Sequence, residues 1–228
     1  QSATASQFSN KSPHNATKQT DNIKSFASVS SLSKCSGSVL LETATVIASS
    51  PSCRNSTKCR VLFDSGCQKT FITEELRSKL HLKAIRTEIL GVNIFGGGII
   101  DPSTHDVVQL CLQNRSGGPT IELEAIVTTK ICSNVRIENI ELVAEKHEHL
   151  SHLTLADTYH DLPTDADISI LIGLNYYWTI IDGEVIRGSK SNELVALSSK
   201  FGYIVSGPSS ATLQTSMQVD TTKETMTY

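Results

Sequence analysis

Arg60-Val61-Leu62-Phe63-Asp64-Ser65-Gly66-Cys67-Gln68-Lys69-Thr70 runs three apolar residues straight into a carboxylate, a hydroxyl and a glycine. A buried strand here delivers Asp64 to a point where the chain turns sharply. Gly66 permits the turn, and the Ser65 hydroxyl can bond neighbouring backbone. A carboxylate in such a place is partly desolvated and held by donors, which suits acid–base catalysis. Taken alone, Asp-Ser-Gly more often marks an ordinary turn.

Two further elements change that balance. About a hundred residues on, Ile168–Gly173 (I-S-I-L-I-G) is a second apolar strand ending in glycine. Between the two lies Ile94–Ile100 (I-F-G-G-G-I-I), a glycine-rich tip with apolar flanks that suits a mobile hairpin.

Around these elements the chain reads as short strands. Val39–Ala48 and Arg60–Phe63 are apolar, while Val107–Leu112 and Ile121–Val127 alternate with period two. Asn114–Pro119 (N-R-S-G-G-P) has turn chemistry, so the last two form a hairpin. Val135–Val143, Ile168–Ile172, Gly183–Arg187, Leu194–Ser198 and Tyr203–Ser206 are further expected strands. A single helix is expected after Thr73, which can cap it. Glu74 and Glu75 fall in its first turn, Leu76 and Leu80 share a face, and Lys79, His81 and Lys83 sit near its end. Many short strands with one helix predict an all-β, closed β-barrel.

Composition agrees with a β-rich globular core. Hydrophobic residues make up 39% of the 228 but aromatics only 5%, which leaves the core to Val, Ile and Leu. A net charge of −3 provides no cationic field for nucleic acid. No apolar run approaches the ~18 residues of a spanning helix, and no signal peptide is visible, so a cytoplasmic protein without a membrane partner is expected. Six scattered cysteines without a C-x-x-C read as free thiols of a reducing compartment. The N-x-S/T sequons at Asn10, Asn15, Asn55 and Asn114 would matter only in a secreted chain. Residues 1–37 and 209–228 are Ser/Thr-rich and too poor in apolar surface to offset ordering entropy; they are expected to be a linker and a tail. Residues 38–182 then form the core, with 183–208 as an extension.

In full linear order, apolar-Asp-Ser-Gly, a glycine-tipped hairpin and apolar-apolar-Gly resemble the retropepsins. The chain is most similar to proteases of BEL/Pao-type LTR retroelement polyproteins. The resemblance rests on Val61–Gln68 with Phe71-Ile72-Thr73, and on Leu171-Ile172-Gly173 with Tyr176-Tyr177-Trp178. Gly183–Gly188 and Lys200–Pro208 complete it, so that it runs from about Val39 to Pro208. It implies a homodimeric aspartic endopeptidase with a retropepsin-like barrel, acting on a Gag-Pol-type polyprotein in the cytoplasm or within virus-like particles. Asp64 would be the catalytic carboxylate, Ser65 would brace the paired loops, and Gly66 would allow the turn. Phe95, Gly96, Gly97 and Gly98 would form the flap over the substrate, and Leu171, Ile172 and Gly173 would support the active-site loop. Two positions depart from the pattern: Cys67, where Ser or Ala is usual, and Asn175, where Asp is common.

A homodimer also follows from the chemistry. Two close carboxylates must hold one proton between them, one activating water while the other polarises the scissile carbonyl. The chain has one Asp-Ser-Gly, and two-fold symmetry supplies the second. Competing constellations are weaker. His147, His149, His152 and His160 match no common zinc spacing, and no metal or cofactor is expected. Asp157, Asp161, Asp165 and Asp167 read as a polar surface loop, and Trp178 with Tyr176 and Tyr177 as core packing. The alternative function is an inactive retropepsin-fold module for dimerisation or peptide binding.

Overall fold

The computed structural model describes residues 38–52, 54–94, 98–132, 139–159, 162, 167–190 and 193–209. Its first half contains β1 (Ser38–Leu40), β2 (Thr43–Ser49), β3 (Ser56–Phe63), β4 (Phe71–Thr73), α1 (Glu74–Leu80), β5 (Ala84–Ile94), β6 (Gly98–Asn114) and β7 (Thr120–Thr128). Then follow α2 (Ile140–Ala144), β8 (Ile168–Ile172), α3 (Leu174–Ile180), β9 (Ile181–Arg187), β10 (Val195–Ser199) and β11 (Gly202–Ser209).

Six strands close into a barrel. Antiparallel β2–β3, parallel β3–β8, antiparallel β8–β4, parallel β4–β7 and antiparallel β7–β6 pairings carry the ring round. β6 then returns to β2, from Val46↔Asn114 to Ser49↔Cys111, and closes it. The fold is therefore all-β and retropepsin-like, as the sequence leads one to expect. Period-two alternation fills the interior. Val46, Val61, Ile72, Leu110 and Ile170 all point inward, and Ile121, Leu123, Ala125 and Val127 of β7 share that face. α1 plugs one end with Leu76 and Leu80. Its cap is the expected one, since the Thr73 hydroxyl accepts from the Leu76 amide at 3.3 Å.

The barrel is also covered outside. Phe71, Val107, Ile126, Ile168 and Leu171 form a second apolar cluster under Ile131 and Cys132. Strands β4, β6, β7 and β8 are thus apolar on both faces. A separate four-stranded sheet, ordered β1-β11-β10-β9, packs Leu194, Ala196 and Val205 against Ile140 and Ala144 of α2. Phe201 and Ile204 join that sheet to the barrel core.

The structure corrects several expectations. Three helices stand among the described residues rather than one. Val135–Val143 is not a strand where it is described: Asn139 caps α2 by accepting from the Leu142 amide at 3.1 Å, and Ile140 and Ala144, four apart, bury one face. Residues 133–138 lie outside the described residues. Val39–Ala48 divides at Leu41-Glu42, and its two halves enter different sheets. Asp157 is not on the surface but 7% exposed and bonded to Arg60, which is 1% exposed. Asp167 is exposed, while Asp161, Asp165 and His160 lie outside the described residues. Trp178 is 65% exposed and so does not pack the core, whereas Tyr177 does. Cys59, Cys67, Cys111 and Cys132 are free thiols. No helix among the described residues is long and apolar enough to cross a membrane.

Candidate active site

The site is built by β8. It lies between β3, to which it is parallel, and β4, to which it is antiparallel. The 64–70 loop must therefore leave β3, cross the end of β8 and return on its other side. Backbone bonds fasten the crossing: the Asp64 amide donates to the Ile172 carbonyl at 3.0 Å, and the Leu174 amide to the Cys67 carbonyl at 2.7 Å. Thr70 Oγ1 accepts from the Gly173 amide at 3.1 Å and donates to Asn175 Oδ1 at 2.9 Å. Asn175 thus makes a polar tie behind the loop in place of the expected Asp. Thr70, 1% exposed, is a support that the Asp-Ser-Gly pattern alone does not single out. Its signal was a hydroxyl at the boundary between a turn and an apolar strand.

Gly173 is required for space, not for backbone freedom. Its φ is −84°, which any residue adopts. A Cβ there would stand 2.2 Å from the Lys69 carbonyl oxygen and 2.8 Å from that of Cys67. Backbone on both sides cannot yield cheaply. Gly173→Ala is expected to cost about 1–3 kcal/mol or more and to displace the loop. A thermal melt matching the wild type would contradict this packing.

At the loop's tip the Asp64 carboxylate is half-buried, and its Oδ1 accepts from the Gly66 amide at 2.9 Å. Ser65 and Gly66 are exposed beside it. An Asp placed this way is anchored on one oxygen by its own turn and presents the remainder of its carboxylate outward. Leu171 and Ile172 are buried in β8, Leu171 on the outer face and Ile172 in the barrel interior. Phe63, one residue before Asp64, packs edge-on against Tyr177 at 6.2 Å between ring centres. Tyr177 donates to Glu42 at 2.8 Å, and burial with that carboxylate holds its phenol above the ordinary range. The strand bearing Asp64 is therefore clamped from beneath.

The β5–β6 hairpin rises beside the loop, with Ile94 opposite Gly98. Of the four expected flap residues, Gly98 begins β6, whereas Phe95, Gly96 and Gly97 lie outside the described residues. The hairpin's root reaches the loop through Lys69, whose Nζ is 2.6 Å from Glu88 Oε1. Leu90 packs against the outer cluster together with Leu62 and Cys67.

Two side chains that could serve as nucleophiles fit a catalytic role less well. Cys67 donates its thiol to the Lys69 carbonyl at 3.3 Å, and burial raises its pKa, with the Asp64 charge adding to the rise. Its thiolate is thereby disfavoured. Ser103 Oγ lies 2.7 Å from His105 Nε2 on β6, and His105 Nδ1 bonds the Val127 carbonyl at 3.1 Å. That pair is held by a carbonyl rather than a carboxylate, within a strand and without the sharp strand-to-helix elbow that aims a nucleophile. His147 and His149 stack edge to face at 5.7 Å, and His149 Nε2 bonds the Leu194 carbonyl. Among the described residues no group of His, Cys, Asp and Glu is placed to hold a metal ion.

Residues 45–214 match the model of a family described as "Putative peptidase (DUF1758)". The chain belongs to this peptidase family. The matched span begins within β2 and runs through β11, so it covers the barrel, the Asp64 loop and, except for β1, the second sheet. A comparison with curated proteins returns no match.

Proposed function

We propose that this member of the peptidase family is an aspartic endopeptidase in which Asp64 of each of two identical chains meets across a two-fold axis. The observation that carries the reading is the Asp64 carboxylate at the tip of β3, anchored by the Gly66 amide on a loop wedged over Gly173. In the assembled site the two carboxylates share one proton. The ionised one takes a proton from water as it attacks the scissile carbonyl; the protonated one donates to the carbonyl oxygen. The tetrahedral intermediate then collapses, and the amine leaves with a proton returned from the pair. Substrate lies extended beneath the two β5–β6 hairpins, its backbone pairing as an added strand. By resemblance, that substrate is a retroelement polyprotein containing this domain.

Purified protein should cleave a denatured polypeptide at mildly acidic pH, and a statine-type transition-state mimic should block it. Ser103→Ala should leave cleavage intact. Inhibition by a serine-directed acylating reagent, with resistance to the statine mimic, would overturn the aspartic assignment. Absence of cleavage by a folded dimer would favour a binding module.

A further inference from the structure

We infer that the outer face of α3, carrying Leu174 and Trp178, is the surface on which a second copy of this chain seats. This rests on the proposed pairing of Asp64 and names where that pairing is held. Leu174 is 44% exposed and Trp178 65% exposed; they lie four residues apart, one turn along one side of the helix. The adjoining side buries Tyr177 and Ile180. Trp178 is the chain's only tryptophan. Its ring rests edge to face on Tyr177 at 5.0 Å and leaves most of the indole in water; Trp leads among residues that anchor interfaces.

Position decides which partner covers it. Asp64 is bonded to Ile172, and Cys67 of the same loop to Leu174. Chain geometry then holds the Leu174 Cα within about 12 Å of Asp64. Two carboxylates sharing a proton require the symmetry axis to pass beside Asp64. A standard interface covers about 800 Å² on each partner, a disc roughly 16 Å in radius. Leu174 falls inside such a disc, and Trp178, about 6 Å further along the helix, near its margin or closer. β11 is already paired with β1 within one copy. Of the large apolar side chains exposed among the described residues, Leu174 and Trp178 follow directly on the strand and glycine that carry the Asp64 loop, which places them to hold two copies together there.

A single tryptophan makes the test direct. Intrinsic emission of the full chain should shift to shorter wavelength as concentration is raised through the dimerisation range followed by sedimentation. Trp178→Glu should raise the dimer Kd at least about tenfold, and cleavage should fall in step at low concentration. Leu142→Glu, on the exposed side of α2, should leave the Kd unchanged. Emission that stays constant while the chain dimerises, or a Kd unmoved by Trp178→Glu, overturns the surface. Asp64-dependent cleavage in that case leaves the proposed activity standing. A chain that remains monomeric and inactive at every concentration removes both. Should Trp178→Glu fail to fold, the wild-type emission still decides.

Discussion

Asp64→Asn is expected to abolish peptide hydrolysis while leaving the fold and the dimer intact. Asn retains an oxygen where Oδ1 now accepts from the Gly66 amide at 2.9 Å, so the turn keeps its bond. What disappears is the shared proton, because an amide neither ionises nor protonates in this range. One substitution in a two-fold assembly removes base and acid together, so the loss should reach at least about 10⁴-fold. Turnover of a peptide substrate measures the loss, and sedimentation with circular dichroism checks the rest. Mixing wild-type and variant chains adds a sharper criterion. If each site needs two functional carboxylates, activity falls as the square of the wild-type fraction; a site contained in one chain gives a linear fall. Residual cleavage by the variant at wild-type rate would remove Asp64 from the mechanism.

The features that position Asp64 were legible because local chemistry and long-range packing agree there. Val61-Leu62-Phe63 supplies a strand, Gly66 a turn, and Ile168–Gly173 the strand it rests on, each recognisable in isolation. The β6–β7 hairpin was equally plain, since its alternation and its N-R-S-G-G-P turn specify the same register. Gly173 could be picked out by type, but its reason, two carbonyl oxygens lying where a Cβ would go, exists only once the loop has crossed β8.

Other elements were hidden because tertiary contacts overrule local preference. Leu174–Ile180 is rich in aromatic and β-branched residues that favour strands, and Gly173 provides no side-chain cap. It is helical because the Leu174 amide is already spent on Cys67 and because Tyr177 and Ile180, three apart, both find the core. Trp178, beside them in sequence, touches the Tyr177 ring edge to face yet stays mostly exposed; a run of three aromatics does not say which of them faces in. Likewise nothing in Val39–Ala48 reveals that β1 and β2 serve different sheets, since both halves are apolar. Asp157 resembled its neighbouring acids in sequence, and its partners are 97 residues away at Arg60 and 112 away at Thr45.

Those partners make Asp157→Ala the largest expected loss of stability in the chain. Its carboxylate accepts from Arg60 Nε at 3.2 Å, Thr43 Oγ1 at 2.6 Å, Thr45 Oγ1 at 2.5 Å and the Thr158 amide at 2.9 Å. Four donors share one buried acceptor, and truncation deprives all of them at once while leaving the guanidinium in the interior. Removing one member of such a pair costs about 3–5 kcal/mol. At about 2–4 °C per kcal/mol for a domain of this size, the melting temperature should drop by roughly 6–20 °C at fixed protein concentration. The exposed Lys79–Glu75 pair on α1, at 60% and 76% side-chain exposure, should by contrast be dispensable. Location enlarges the effect at Asp157. The Thr45 amide bonds the Ala156 carbonyl at 2.9 Å, and the Ala156 amide bonds the Tyr203 carbonyl at 2.8 Å, so this segment joins β2 to β11. Asp157→Ala should therefore loosen the second sheet from the barrel, visible as faster amide exchange in β11. Asp157→Asn, which keeps an acceptor but no charge, should lose less than Asp157→Ala. The double variant Arg60→Met with Asp157→Leu should recover part of the loss, since no buried charge then remains at the site, yet not all of it, since Thr43, Thr45 and the Thr158 amide still lack their acceptor. Melting of Asp157→Ala within a degree or so of the wild type would mean that water already reaches this carboxylate and that the second sheet is held by its apolar contacts alone.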